Sequence, residues 1–397
     1  MPSVDNQACL LTIATCNRRA GIAVVAESFL KHHPGAQIFI CLVDRPGPGT
    51  PPLELPGNYF FADELPLPDG QRFLFQYEAF ELCCALKPYA MSYVMQRFGV
   101  DYLLYLDSDI LVTHPFWKDL ELPWERHSFL LTPHLIRLPI DVSFEFQRSL
   151  VQHGAYNGGF VAVKQDSGAQ QVLQCWASVL ETGCTFDPMN NIYVDQRWLD
   201  LLTAASPAFG ILRDPGLNVA YWNLHERALG RDAAGTWTAN DQPLKFFHFS
   251  GFDRDRLTTK MNCTDPNAIA IARHYGNLLD EAGESYFAPL SYGWAYYCDG
   301  SLIPLPHRDL ILSNHPELGD VSEPFALPTN VKKWQSMQRL AQESVPVRIG
   351  QRYRDHERAA DLLRQVQRHP LLGFAWKLWR RFIAPSRRAK LPPYAQP

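Results

Sequence analysis

Four short runs of apolar and β-branched residues punctuate the first third of the chain: residues 9–16 (CLLTIATC), 37–43 (QIFICLV), 102–107 (YLLYLD) and 129–132 (FLLT). Helix-like segments alternate with them. Between the first two, AGIAVVAESFLKHH places Ile22, Val25 and Phe29 on one helical face, and Pro34-Gly35 stops it. Between the second and third, the proline-rich PGPGTPPLELPG leads into EAFELCCALKPYAMSYVMQRFGV, whose apolar face suits one helix or a Pro-kinked pair. This alternation predicts an α/β fold, a mostly parallel sheet covered by helices. Ligands of such sheets bind beyond the carboxyl ends of the strands.

At one such end the strand-like stretch YLDSDILV carries Asp107 and Asp109 in its middle. An unpaired charge in a core costs several kcal/mol, so these carboxylates either turn to solvent, cap the next element, or face a cation. The triplet alone decides little, because FDRDR repeats it at Asp253 and Asp255. Further along come the β-rich YNGGFVAVK, a helix in VLQCWASVLETG, a second in VDQRWLDLLTAA, and LKFFHFSGF, which ends on His248 and Gly251. Hard divalent cations take oxygen ligands, and Mn²⁺ also accepts imidazole. Asp107, Asp109 and His248 are therefore a candidate Mn²⁺ or Mg²⁺ site, although a lone histidine such as His248 is more often a hydrogen-bonded core residue.

With 397 residues, 46% hydrophobic and 20% charged, the chain can bury a large core or two smaller ones. It begins without a basic segment ahead of an apolar stretch and has no uninterrupted apolar run of about 18 residues, which argues against secretion and membrane spanning. Nine scattered cysteines without a C-x-x-C pair read as reduced thiols of a cytoplasmic protein. The net charge of −4 conceals an asymmetry, since residues 331–397 hold 15 Lys/Arg against 4 Asp/Glu while the remainder holds 22 against 37.

LTIATCNRR, ALKPYAMSYVM, YLDSDILV, YNGGFVAV, VDQRWL and FFHFSG follow one another as in glycosyltransferase family 8. Over about residues 9–262 the chain resembles that family, which includes glycogenins and bacterial lipooligosaccharide galactosyltransferases. The resemblance implies a GT-A fold, a nucleotide-sugar donor (most often a UDP-sugar), a divalent metal and transfer with retention. It implies that Asp107 contacts metal and donor, that Asp109 and His248 complete the metal ligands, and that Ala14, Thr15, Cys16 and Asn17 line the uracil and ribose. By the same resemblance, Lys87 approaches the donor, Asn157 and Gly158 lie beside the donor sugar, Asp195 orients sugar hydroxyls, and Gln196 lies on the face where a positive anomeric centre develops.

Two departures stand out. The family's Lys-Pro-Trp element after the histidine is replaced by FDRDRLTTK, where Lys260 is the expected diphosphate cation ahead of Arg254 and Arg256. The first loop reads Asn17-Arg18-Arg19 in place of an acidic-aromatic pattern. The expected division is a catalytic domain over 1–280, an accessory or acceptor region over 281–368, and a tail over 369–397. Tyr286, Tyr292, Trp294, Tyr296 and Tyr297 read as a second small core or as an acceptor surface. In the tail, Leu371, Ala375, Leu378, Trp379 and Phe382 recur at helical spacing beside Lys377, Arg380 and Arg381, the composition of a helix lying on an anionic membrane surface. A glycan or lipid-linked acceptor at the cytoplasmic membrane face fits that tail, and nucleic acid does not. A sugar nucleotidyltransferase and an inactive carbohydrate-binding scaffold are the alternatives. LTIATCNRRAG is a poor nucleotidyltransferase loop.

Overall fold

The structure is a computed structural model and describes residues 8–47, 54–140, 142–252 and 265–343, all within one compact unit, Met1–Val347. Lys260, Arg254, Arg256 and the tail 369–397 lie outside the described residues.

Seven strands form the central sheet. They are β1 (Cys9–Ala14), β2 (Gln37–Leu42), β3 (Asn58–Phe61), β4 (Tyr102–Leu106), β6 (Phe129–Pro133), β7 (Tyr156–Lys164) and the strand Phe209–Ile211; β5 (Ile110–Val112) belongs to a separate pair. The order across the sheet is Phe209–Ile211, β6, β7, β4, β1, β2, β3. Only β7 runs antiparallel to its neighbours, β4 and β6. This is the expected α/β class: a mostly parallel sheet flanked by helices. β1 is buried along its whole length, the continuous apolar signature of a sheet covered on both faces.

Side-chain alternation sorts these strands into two cores. Leu11, Leu103, Tyr105, Val161 and Val163 enter one, packed by the helices Lys87–Phe98 and Gln196–Ala205; Leu10, Leu104, Leu106, Phe160 and Ala162 enter the other, packed by Arg19–His32. Tyr105 and Asp107, two residues apart, thus point to the same side, and the Tyr105 hydroxyl donates to Asp107 Oδ1 at 2.6 Å. A further core gathers Phe75, Tyr297, Ile303, Leu310, Met337 and Leu340. The described cysteines are all free thiols, and among the described residues no helix is long and apolar enough to cross a membrane.

Beneath the helix Arg19–His32, His33 stacks on Phe29 with ring centroids 4.2 Å apart. Its Nδ1 meets the Phe29 carbonyl at 3.1 Å, and its Nε2 accepts the amides of Phe116 and Trp117 at 3.0 and 3.2 Å. Those bonds need the neutral ring. Burial lowers its pKa from 6.5 to about 4, against the opposing pull of the Phe29 carbonyl. Below pH 6.5 the unfolded chain takes up a proton that the folded chain refuses until about pH 4, so His33 favours folding at neutral pH and this contribution is lost as pH falls through that window. The loss amounts to about 3 kcal/mol. Denaturation midpoints between pH 7 and 4 should fall less steeply in His33→Gln than in the wild type; equal slopes would refute this.

Candidate active site

The sequence positions its acidic pair through two ladders. β4 ends at Leu106, the Asp107 amide donates to the Gly159 carbonyl at 3.0 Å, and Asp107-Ser108-Asp109 turns the chain into β5. β5 pairs antiparallel with the strand Phe246–His248, setting His248 opposite Ile110, and the Phe249 amide donates to the Asp109 carbonyl at 2.8 Å. Residues 139 apart in the chain therefore meet: His248 Nε2 lies 3.1 Å from Asp109 Oδ1 and 3.7 Å from Asp107 Oδ2.

His248 is buried, and its Nδ1 is 3.2 Å from Asn218 Oδ1. With Nδ1 as the donor, Nε2 is left facing the two carboxylates. Among the described residues neither that Nε2 nor Asp109 Oδ1 has a hydrogen-bond partner, though both atoms are buried. One ligand atom from each of Asp107, Asp109 and His248 lies within 4.8 Å of the others. Two oxygens and one imidazole nitrogen converging in this way fit a divalent cation such as Mn²⁺. Burial alone would raise Asp109's carboxyl pKa; the charge of the facing His248 imidazole, when protonated, overcomes this and holds it below the usual range. Burial opposes the charged form of His248, but Asp109 and then Asp107 lift its pKa above the ordinary value.

Lys87 opens the helix Lys87–Phe98 and is buried beside the triad. Its Nζ stands 2.9 Å from Asp195 Oδ2 and 3.4 Å from Asp107 Oδ1, and it donates to the Gly158 carbonyl at 2.8 Å. Burial disfavours the ammonium, yet Asp107 and Asp195 outweigh it and hold Lys87 firmly charged. For Asp195, burial pushes the carboxyl pKa up and Lys87 opposes that rise.

Gln196 is engaged on all sides. Its Oε1 accepts from Asn157 Nδ2 at 3.1 Å and the Gly158 amide at 2.9 Å, and its Nε2 donates to the His153 carbonyl at 2.9 Å. Asn157 Oδ1 in turn accepts from the Gly159 amide and from Asn218 Nδ2, both at 3.0 Å. The glycines are required by close approach. A Cβ on Gly158 would lie 2.8 Å from Asp195 Oδ2, and one on Gly159 would lie 2.4 Å from His248 Cε1 and 2.9 Å from Asp107 Oδ2.

Lys87, Asp107, Asn157, Gly158, Asp195, Gln196 and His248 all line one cleft of about 250 Å³. Ala14, Thr15 and Asn17 stand apart from its walls, at the end of β1 beside β4, where Thr15 Oγ1 and Asn17 Oδ1 are 2.5 Å apart. Sequence reasoning missed Asn218, which orients His248; its left-handed backbone, φ 52°, follows the Pro215-Gly216 turn, and no spacing in the sequence ties it to the histidine. It also missed Asp44, which accepts the amides of Cys16 at 2.7 Å and Gly293 at 2.8 Å and so fastens the β1 turn to the C-terminal segment. Of the five aromatics in that segment, Tyr292 and Trp294 pack on the first core, Tyr297 lies in the further one, and Tyr286 and Tyr296 are exposed. The Trp294 indole donates to the Val43 carbonyl at 2.6 Å.

Fold and site together define an α/β protein with a candidate Asp-Asp-His metal centre at its strand ends. No protein-family model matches the chain. It is 27% identical over 179 residues to the uncharacterized protein YfnF of Bacillus subtilis (strain 168), an alignment covering 43% of this chain and 57% of YfnF. The chain thus spans little more than half the length of that relative. Among solved structures, it aligns with the glycosyltransferase GlyE of Streptococcus pneumoniae TIGR4 at 13% identity and a TM-score of 0.41, covering 71% of this chain and 64% of GlyE. It aligns with the galactosyltransferase LgtC, solved with donor and acceptor sugar analogues, at 14% identity and a TM-score of 0.38, covering 69% of this chain and 95% of LgtC. Likenesses at these TM-scores carry no weight for the activity of this chain, which is read from its own residues.

Proposed function

We propose that the chain is a metal-dependent glycosyltransferase of hexosyltransferase type, moving a sugar from a nucleotide-sugar, a UDP-sugar, to a glycan or lipid-linked glycan with retention. The observation that carries this reading is the convergence of Asp107, Asp109 and His248 at the carboxyl ends of the strands, beside the buried Lys87–Asp195 pair in one cleft. Asp107, Asp109 and His248 would hold Mn²⁺ or Mg²⁺, which stabilises the negative charge of a departing diphosphate without proton transfer. Asn157 and Gly158 leave room beside the donor sugar. Asp195, paired with Lys87, accepts from sugar hydroxyls, and Gln196 keeps the glycine segment in place. Ala14, Thr15 and Asn17 contact the nucleoside.

The donor site belongs to residues 1–280 in this reading, and residues 281–368 serve the acceptor. The tail 369–397 holds the protein peripherally on the cytoplasmic membrane face. Incubation with Mn²⁺ and a panel of nucleotide-sugars should release free nucleoside diphosphate from at least one donor. Pyrophosphate release from a nucleoside triphosphate and a sugar phosphate would support a nucleotidyltransferase instead, and glycan binding without turnover an inactive scaffold.

A further inference from the structure

Resting on that donor reading, we infer that Arg18 supplies a cation to the donor's diphosphate. The β1 turn carries two adjacent arginines in different settings. Arg19 is 5% exposed, with its guanidinium 4.3 Å from the centroid of the Phe287 ring. Arg18 is exposed, and only its backbone is bonded: its amide donates to the Thr15 carbonyl at 2.9 Å. Among the described residues its guanidinium has no hydrogen bond or ion pair.

Topology brings the β1 turn that carries Arg18 to the metal edge. β1 and β4 are parallel neighbours, pairing Leu10 with Leu104 and Leu11 with Tyr105, so the turn after β1 and the Asp107-Ser108-Asp109 turn leave the same edge of the sheet. The helix Arg19–His32 packs there so closely that a Cβ on Gly21 would lie 2.5 Å from the Ser108 carbonyl oxygen. Arg18 is the residue that leads directly into this helix, three positions before Gly21.

Charge balance gives this position its purpose. A dication would balance Asp107 and Asp109, and Lys87 already balances Asp195. A diphosphate arriving at the dication adds negative charge that Lys87, already paired with Asp195, does not meet. A guanidinium matches phosphate oxygens with two parallel N–H donors, and Arg18, exposed and without an ion pair among the described residues, stands in the turn that leaves this edge.

The test titrates the full-length protein, with saturating Mn²⁺, against UDP, GDP and ADP by calorimetry, then repeats the tightest of these with R18Q and R18K. The parent nucleoside is followed in parallel by ligand-observed NMR. R18Q should lose about 10–100-fold in diphosphate affinity, the range of a charged hydrogen bond, while nucleoside binding holds and R18K recovers part of the loss. Unchanged diphosphate affinity in R18Q, beside tight wild-type binding, would overturn the role of Arg18 and leave the functional reading intact. Equal loss of nucleoside and diphosphate would also overturn it, assigning Arg18 to the base. A wild-type protein that bound none of the three would overturn the functional reading and this inference with it.

Discussion

Asp109→Asn is expected to lower metal-dependent release of nucleoside diphosphate by about 10²–10³-fold, the scale of losing one preorganised electrostatic contact in an active site. Asparagine keeps the shape of the side chain and one oxygen, but removes the charge that faces His248 Nε2 across 3.1 Å. The dication then keeps one carboxylate in place of two, so the variant should also need more Mn²⁺ to reach half-maximal release. The fold should survive. Asp109 sits in a turn rather than in packed core, and the backbone bonds that hold it, from the Phe249 amide and through the β5 ladder, do not involve its side chain. A donor-hydrolysis assay across a Mn²⁺ titration, run beside a thermal melt, measures both quantities. Wild-type release at every Mn²⁺ concentration would remove Asp109 from the metal set.

The second large effect concerns stability. Lys87→Met removes the cation 2.9 Å from Asp195 Oδ2, and Asp195 is 1% exposed. Breaking a buried pair from one side leaves an uncompensated charge and costs about 3–5 kcal/mol. Asp195 answers by taking up a proton, which fixes the sign of the pH dependence. In the variant its folded pKa lies far above the unfolded value of 3.8, because burial now acts unopposed by Lys87. The folded chain binds the proton that the unfolded chain releases, so the deficit relative to wild type is small near pH 4 and grows as pH rises toward neutrality. Chemical denaturation of wild type and Lys87→Met at pH 4.5 and 7.5 reads this directly. The double variant Lys87→Met/Asp195→Asn should regain much of the loss at pH 7.5. A deficit independent of pH would mean that packing of the lysine stem, not its charge, is what matters.

Much of this was visible in the residues themselves. The runs at residues 9–16, 37–43, 102–107 and 129–132 are apolar and β-branched enough to read as buried strands, and each became one. The motifs around Lys87, Asp107, Asn157, Asp195 and His248 reached a common cleft. Other features had no local signature. Asn218 orients His248 through a single 3.2 Å contact between segments 30 residues apart. Asp44 joins the β1 turn to Gly293 across 249 residues. Trp294 read as part of a second small core or of an acceptor surface, and its indole bonds the Val43 carbonyl. Each of these depends on where a loop returns, and loops return to places set by the packing of the elements they connect.

By itself the sequence determined the α/β class, the strand end on which the carboxylates sit and the kind of cation such residues would hold, because apolar periodicity and ligand chemistry are local properties. Only the tertiary structure decided that Asp109 faces His248, that Lys87 is locked to Asp195, that Gln196 is occupied in holding the glycine segment, and that Arg18 is exposed and unpaired while Arg19 is buried under Phe287. Pairing register and side-chain burial are settled between distant segments, where a difference of one residue sends a side chain to the opposite face.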